Sequence, residues 1–333
     1  MTSVAVVAVG GNALTAAGQA GTIDEIEANA AGMAGCVADL VRTGWTVAVV
    51  HGNGPQVGNL ALQQDGAQPL VPAQPLHALC AMTQGQLGSV LVRAVDAACG
   101  AGTAVAVVTH VTVDEDDPGF RTPTKPIGPY MTSARAAEVA RERGWTVVED
   151  SGRGHRRVVA SPRPTGVVEM RAVRTLLAAG HVVLAAGGGG VAVVHEAGRL
   201  VGTDAVIDKD LAAAQLATAI GADELYLLTA VDGVLLDHGT SRQRPIDRLS
   251  ADEARRHLTD GQFPPGSMGP KVVAAVAFLE SGGRRAIITR AERLADAVAG
   301  VPGAGTSFVP ESVPERVPER GDAPVAPRLG TCA

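Results

Sequence analysis

Short apolar runs alternate with amphipathic segments along most of the chain. Val4–Val9 is a continuous run of small apolar residues, which is typical of a strand buried on both faces. Thr22 and Glu25 have the spacing of a capping box and predict a helix that ends at Gly44, and a second apolar run, Thr46–Val50, follows. This alternation predicts a mostly parallel sheet with helices on both faces.

The same alternation continues towards the C-terminus. Pro55 suits the first turn of a helix, and a longer helix is predicted over about residues 73–98. Further strands are predicted at Ala104–Thr109, Val182–Ala186 and Leu225–Thr229. The predicted fold class is therefore α/β, a three-layer αβα sandwich around a mostly parallel central sheet.

Three segments interrupt this pattern. Asp114–Tyr130 is rich in Asp and Pro and is predicted to be irregular; with the chain up to about Pro164 it predicts a small inserted subdomain, about 114–164. Residues 191–201 predict a hairpin that turns at Glu196-Ala197-Gly198. Beyond Pro310 the chain is rich in Pro and charge, which predicts a disordered tail over 311–333.

Composition narrows the class of protein. Apolar residues make up 46% of the 333 residues and aromatics only 2%, so the core is predicted to consist of small and branched side chains. A net charge of −6 without a basic patch argues against nucleic-acid binding. No apolar run approaches the ~20 residues that span a bilayer, and no basic segment precedes the first strand. Scattered cysteines without a Cys-x-x-Cys pair add to a prediction of a cytoplasmic protein, with reduced, buried thiols at Cys36, Cys80 and Cys99 and a further cysteine, Cys332, in the tail.

The chain has only three lysines beside 25 arginines. Lysine offers a compact ammonium on a flexible stem, whereas arginine offers a broad planar fork. Lys125 lies in a stiff Pro-rich loop, Lys209 lies between Asp208 and Asp210, and Lys271 follows a glycine-containing turn. Codon bias or ordinary surface charge would also leave a few lysines, but the position of all three at turns or helix starts favours a function.

Three glycine-rich turns follow predicted strands: Gly10-Gly11-Asn12, His51-Gly52-Asn53-Gly54-Pro55 and Gly187–Gly190. Ligands of open parallel sheets bind at the carboxyl ends of the strands. Glycine lets backbone N–H groups approach an anion, and a following helix adds positive potential. One such turn is more often a tight connection, but three at one edge predict an anion or phosphate site.

Together these features suit phosphoryl transfer. A transferring phosphoryl group spreads negative charge that a protein stabilises by position and positive charge, which the lysines can supply. Asp210 is placed to hold the lysines charged, and the amides at Gly10/Gly11 and Gly52/Asn53 can hold an acceptor in line. An acceptor that is already an anion needs no general base. The P-loop, the dinucleotide fingerprint, the zinc motifs and the serine nucleophile elbow are absent from the sequence.

Other polar residues carry weaker signals. Residues 114–117 are all acidic and fit either a metal site or, more readily, a solvated loop. His51 and His110 follow strands and fit either a supporting role or ordinary packing. A group of arginines fits either anion binding or a solvated surface: Arg153, Arg156 and Arg157.

Taken in order over about residues 4–309, the motifs resemble those of the carbamate kinases, a branch of the amino acid kinase superfamily. The matching segments are Gly10–Leu14, His51–Gly58, Met82–Gly85, Pro123–Pro129, Gly187–Gly190, Ala205–Leu211 and Gly266–Lys271. Small departures occur at Ala160, Ala192, His110 and Met131, none of which removes a charged catalytic group.

The resemblance implies an amino acid kinase-like fold with a protruding subdomain, and reversible transfer between ATP plus carbamate and ADP plus carbamoyl phosphate. It implies Mg²⁺ carried by the nucleotide, with no residue acting as a metal ligand, and a homodimer whose central sheet continues across the interface. Operation towards ATP synthesis, at the end of arginine or ureide breakdown, is the physiological hypothesis. The implied lobes are 1–205 for the acceptor and 206–310 for the nucleotide.

The resemblance also assigns residues to roles. The catalytic set is Lys209, Lys271, Asp210 and Lys125. The acceptor and phosphate set is Gly10, Gly11, Asn12, Gly52, Asn53, Gly188 and Gly189. The nucleotide set is Thr229, Val231, Asp232, Met268, Gly269 and Lys271.

Two alternatives stay open at this point. Another small-carboxylate kinase of the same fold would need an anchor for the remote carboxylate of its larger acceptor, and the sequence offers no evident one. A non-catalytic nucleotide-binding regulator would be expected to lose phosphoryl-handling residues, yet the three lysines and Asp210 are all retained.

Overall fold

The computed structural model describes residues 3–310 apart from 17, 69, 151 and 265, and it describes only the backbone of Gly11 and Asn12. The predicted disordered tail and Cys332 lie outside the described residues. Within them, Cys36 and Cys80 are buried free thiols and Cys99 is a half-buried one. No helix in this part of the chain is both long enough and apolar enough to cross a bilayer.

Strands and helices alternate along the described chain, as predicted. The strands β1 to β17 are Val4–Val9, Thr46–His51, Ala104–Ala106, His110–Val113, Lys125–Met131, Val147–Glu149, His155–Val159, Pro164–Val167, Val182–Leu184, Val191–Glu196, Arg199–Gly202, Glu224–Leu228, Val234–Leu236, Arg244–Ile246, Arg248–Ser250, Arg285–Thr289 and Thr306–Val309. The helices α1 to α10 are Gly11–Leu14, Ile23–Arg42, Gly54–Ala67, Leu76–Cys99, Ser133–Arg143, Met170–Ala178, Lys209–Ile220, Ala251–Thr259, Met268–Glu280 and Leu294–Val298.

Eight strands form the central sheet in the order β15-β17-β16-β12-β1-β2-β9-β3. The six strands from β16 to β3 are parallel to one another, and β17 pairs antiparallel with β16. The carboxyl ends of these six parallel strands therefore lie along one edge of the sheet, where ligands of open α/β sheets bind.

The two faces of β1 explain the layers of the fold. Val6 and Ala8 belong to one core cluster, together with residues of α6, α7 and α9. Ala5 and Val7 belong to the other, together with residues of α2 and α4. Because successive side chains of a strand point to opposite faces, this run of small apolar residues fills both layers at once. The predicted α/β class with helices on both sides of a mostly parallel sheet is confirmed.

The prediction that Asp114–Tyr130 is irregular was wrong for its last part. Residues 125–131 form β5, which lies at the edge of a three-stranded sheet in the order β5-β7-β6. An edge strand tolerates proline because its outer N–H groups need no partner in the sheet. The pairing with β7 is interrupted between Ile127 and Met131, where Gly128 has a φ of +75°.

Two predicted strands are shorter than expected. Strand β3 ends at Ala106, and the N–H of Thr109 donates to the Gln84 Oε1 atom at 2.9 Å instead of to a strand. Strand β9 ends at Leu184, since Ala186 turns into the left-handed region with a φ of 50°. The predicted hairpin is confirmed as β10 and β11.

The small sheet, defined as β5, β6 and β7, packs against α3 through a contact between two glycines. A Cβ atom on Gly58 of α3 would lie 1.9 Å from the backbone nitrogen of Gly128, so no other residue fits at Gly58 without displacing the strand. Val57 and Ile127 are buried in one cluster beside this contact. The proposed boundaries of the subdomain and the two lobes stay predictions.

Candidate active site

Lys209, Asp210 and Lys271 converge at the adjacent ends of two packed helices. Lys209 and Asp210 form the first turn of α7, and Lys271 lies in the first turn of α9. The Lys209 Nζ atom donates to Asp210 Oδ1 at 2.7 Å, and the Lys271 Nζ atom donates to Oδ2 at 2.9 Å. Each lysine is only 8% exposed and Asp210 only 4%. Two distant stretches of chain thus meet in one buried cluster.

This cluster carries more positive than negative charge. Burial alone would raise the pKa of Asp210, but Lys209 and Lys271 outweigh it and hold the pKa of the carboxyl below its usual value. Burial lowers the pKa of Lys209, and the neighbouring Asp210 opposes this shift. Two buried cations share one carboxylate, and removing an uncompensated charge from water costs several kcal/mol. A bound anion such as phosphate would balance that charge.

Asp208 links the cluster to the small sheet. Its Oδ1 atom accepts a hydrogen bond from the Asp210 N–H at 2.9 Å, as the N-cap of α7. Its Oδ2 atom accepts a hydrogen bond from the Lys125 ammonium on β5. Burial opposes ionisation, but Lys125 and Lys209 outweigh it and lower the pKa of Asp208. Sequence reasoning gave Asp208 no role, although an Asp just before a helix start is an N-cap signal that could have identified it.

The first two glycine turns lie at the edge where parallel strands end. A Cβ atom on Gly10 would lie 3.9 Å from the Cε atom of Lys209, so the turn after β1 borders the cluster. The Gly52 N–H donates to Val9 O at 2.8 Å and ties the turn after β2 to the first turn. The Asn53 amide donates to Thr83 Oγ1 at 2.9 Å, which fixes its orientation. The side chain of Asn12 lies outside the described part.

The tetraglycine turn, Gly187–Gly190, packs against the turn after β2 and against the segment that precedes α7. A Cβ atom on Gly188 would lie 2.3 Å from Asn53 Nδ2, and one on Gly189 would lie 2.3 Å from Ile207 O. Gly187 is pressed equally closely against the ring of His51. Close packing thus requires these glycines, and the turn fixes the positions of Asn53 and of the segment that leads into α7. Burial lowers the pKa of His51 to about 4, so its ring is neutral at pH 7.

The predicted nucleotide residues lie on two loops. Thr229, Val231 and Asp232 follow β12 at the same sheet edge, and Asp232 pairs with Arg290, which follows the neighbouring strand β16, at 2.8 Å. Met268 and Gly269 begin α9. The Gly269 N–H donates to Pro264 O at 2.9 Å. The roles assigned to these residues, like those of the catalytic and acceptor sets, stay predictions.

The residues with weaker signals have structural partners. Asp117 caps the short 3-10 turn at Pro118–Phe120, and the described residues include no group of three His, Cys, Asp or Glu side chains placed to hold a metal ion. The His110 Nδ1 atom lies 2.7 Å from Glu169 Oε1. Arg153 is about half exposed, whereas Arg156 is buried, which the sequence did not indicate.

Comparison with known proteins places this arrangement in a family. Residues 3–290 match the model of the Amino acid kinase family, and the chain belongs to that family. Within it, the chain is 43% identical to the carbamate kinase of Pyrococcus horikoshii over 304 residues, which cover 90% of this chain and 97% of that protein.

Solved structures agree with the sequence comparison. The carbamate kinase of Giardia lamblia bound to citric acid matches with a TM-score of 0.88 and 36% identity, over 93% of this chain and 99% of that one. The same enzyme bound to AMP-PNP matches with a TM-score of 0.83, the same identity and the same coverage. The predicted resemblance to carbamate kinases and the predicted enzyme class, a phosphotransferase, are confirmed.

Proposed function

We propose that this protein is a carbamate kinase that catalyses reversible phosphoryl transfer between ATP plus carbamate and ADP plus carbamoyl phosphate. One observation carries the proposal: Lys209 and Lys271 are buried on a single carboxylate, Asp210, where parallel strands end. Such a site carries an excess of positive charge and is complementary to an anion. Three relatives that match over 90% of the chain are themselves named carbamate kinases.

The proposed mechanism uses charge and position. A carbamate oxygen attacks the γ-phosphorus of ATP, the bond from that phosphorus to the bridging oxygen breaks, and ADP leaves. Lys209 and Lys271 neutralise the charge on the transferring group, while Asp210 keeps them charged and in place. The turns at Gly10–Asn12 and Gly52–Asn53 hold the acceptor through amides other than the Gly52 N–H, which already donates to Val9 O. Carbamate is already an anion, so no base has to remove a proton from it.

The nucleotide is proposed to lie over the loops that contain Thr229, Val231, Asp232, Met268 and Gly269. Support comes from the position of the first loop at the shared strand edge, and from a structural neighbour that binds AMP-PNP. Mg²⁺ commonly binds through one or two carboxylates together with substrate phosphates and water. Since Asp210 and Asp208 are engaged by lysines, we propose that the nucleotide phosphates carry the ion.

The assembly is proposed to be a homodimer. Strand β3 is one end of the central sheet, and Val108 beside it is 48% exposed. Pairing of this edge with its copy would continue the sheet across the interface and cover unpaired strand groups. The lobes at 1–205 and 206–310, the subdomain at about 114–164, a cytoplasmic location and operation towards ATP synthesis are part of the same proposal.

The direct test is to mix the purified protein with ADP, Mg²⁺ and carbamoyl phosphate and to measure ATP with luciferase. ATP formation that depends on carbamoyl phosphate is the expected result, and its absence at high enzyme concentration would reject the proposal. A parallel panel in the reverse direction, with acetylglutamate and aspartate as acceptors, tests the other small-carboxylate kinases. Activity with those acceptors alone would replace carbamate by another substrate.

A further inference from the structure

Arg156 is a buried cation with one unused donor. Its Nε atom donates to Gly128 O at 2.9 Å, and its Nη1 atom donates to Asp150 Oδ2 at 3.3 Å. The residue is only 5% exposed, and its Nη2 atom is buried without a hydrogen-bond partner among the described residues. Buried donors are almost always paired, so an unpaired guanidinium nitrogen indicates that its partner is a ligand or water.

The unpaired nitrogen lies at the start of α3. A Cβ atom on Gly54, the first residue of that helix, would lie 3.7 Å from Nη2 and 3.3 Å from Pro126 O. Gly54 directly follows Gly52 and Asn53, the turn proposed to hold the acceptor. Backbone N–H groups at a helix start attract anions, so Nη2 lies where an oxyanion is already favoured.

The other contacts of the guanidinium fix its direction. Gly128 O and Asp150 hold two of the three nitrogens, and the central carbon lies 5.2 Å from the centre of the Tyr130 ring. Because the group is planar, these contacts also fix where the Nη2 hydrogens point. A donor oriented in advance loses little entropy when its ligand binds.

We propose that the Arg156 Nη2 atom donates a hydrogen bond to a carboxylate-type oxygen of the acceptor, so that the small sheet supplies a substrate-binding residue in addition to Lys125. This proposal rests on the proposed function, since it names a contact in the same site. Arg156 would bind the acceptor end, while Lys209 and Lys271 bind the transferring phosphate.

The experiment compares Arg156→Ala with Arg153→Ala in the assay with ADP and carbamoyl phosphate. Arg153 is a matched control because its guanidinium lies 4.9 Å from the centre of the same Tyr130 ring but is about half exposed. We expect Arg156→Ala to raise the KM for carbamoyl phosphate at least tenfold while the KM for ADP stays within twofold, and added guanidinium to restore part of the loss. Arg153→Ala should stay within twofold for both substrates.

Two results would overturn the inference. One is an unchanged KM for carbamoyl phosphate in Arg156→Ala. The other is an equal rise of both KM values with a lower melting temperature and no rescue by guanidinium, which would show that Arg156 only holds the small sheet together. A second variant, Arg156→Lys, keeps the charge but removes the Nη2 donor, and it should also raise the KM for carbamoyl phosphate.

Binding of carbamoyl phosphate without ADP separates this inference from the proposed function. Calorimetry should detect binding to the unmodified protein and binding at least tenfold weaker to Arg156→Ala. Normal binding without ATP formation would reject the proposed reaction but leave the role of Arg156 standing. If the unmodified protein did not bind carbamoyl phosphate, both proposals would fail.

Discussion

The two cationic regions of the site are supported in different ways. Lys209 and Lys271 lie on α7 and α9, two helices whose buried apolar residues belong to one large core cluster. Lys125 and Arg156 lie on the small sheet, which packs against α3 through the Gly58–Gly128 contact and a small apolar cluster, and which is joined to α7 by the ion pair between Lys125 and Asp208. The two regions are therefore proposed to bind different parts of the substrates. In the proposed mechanism, the transferring phosphoryl group binds to the buried cluster of Lys209, Asp210 and Lys271, and the acceptor binds beside the small sheet.

The largest effect is expected from the buried cluster of Lys209, Asp210 and Lys271. Lys271→Ala should lower kcat by on the order of 10²–10³, because one donor to the transferring phosphoryl group is lost. The melting temperature should be kept, since Asp210 retains Lys209 as its partner. Steady-state kinetics and thermal melts measure the two quantities, with Arg242→Ala, an exposed arginine, as the control.

Asp210→Ala should give the opposite stability result. It leaves two buried cations without a carboxylate and is expected to lower the free energy of unfolding by about 3–5 kcal/mol. If Lys271→Ala lowered the free energy of unfolding more than Asp210→Ala does, the conclusion that this cluster has an excess of positive charge would be wrong.

A smaller effect is expected where the small sheet meets α3. Gly58→Ala places a Cβ atom 1.9 Å from the Gly128 nitrogen and must displace β5, which carries Lys125. We expect kcat/KM for carbamoyl phosphate to fall by about ten- to a hundredfold, a range that reflects how strongly catalysis depends on small displacements of substrate-positioning groups. Gly66→Ala on the same helix is the matched control, since no described atom lies within 4 Å of its Cβ position. Equal kcat/KM values for the two variants would show that catalysis does not depend on the position of the small sheet.

The ion pair between the two regions should contribute less again. Asp208→Asn keeps an N-cap side chain for α7 but removes the charge that holds Lys125. We expect a loss of about tenfold or less in kcat/KM with an unchanged melting temperature. Combining it with Lys125→Met in a double-mutant cycle isolates the pair. Strictly additive losses would mean that Lys125 acts without Asp208.

The smallest expected effect is a shift in pH dependence. Burial lowers the pKa of Lys209, so this ammonium loses its proton at a lower pH than the ~10.4 of an ordinary lysine. Since the charged form is the one that binds phosphate, kcat/KM should decline as the pH rises through that lowered pKa. A profile that stays level up to the ordinary lysine range would contradict the shift.

How much the sequence predicted depends on the range of the interactions. Buried strands and the capping box at Thr22 were predictable, since local pattern and chemistry decide them. The count of lysines identified Lys209 and Lys271 as candidates, whereas their convergence on Asp210 depends on the packing of α7 against α9. The strand that contains Lys125 was missed, because Pro126 and Pro129 argue against a strand unless it is known to be an edge.

Two further features could not be predicted from the sequence because they depend on tertiary structure. The burial of Arg156 depends on contacts of its side chain with Gly128, Asp150 and the start of α3 at Gly54, which no local pattern records. The close packing of the tetraglycine turn against His51, Asn53 and Ile207 also depends on tertiary structure. Sequence reasoning located the turn, and the role of its backbone in anion binding stays a prediction.

The small number of lysines has a spectroscopic consequence. A sample labelled with ¹⁵N only at lysine side chains would give at most three ammonium resonances, from Lys125, Lys209 and Lys271. Each of these groups pairs with Asp208 or Asp210, so every signal would report on the site without assignment by mutation of dozens of residues. The three ammonium resonances can therefore be used to follow ligand binding and changes of charge in the site.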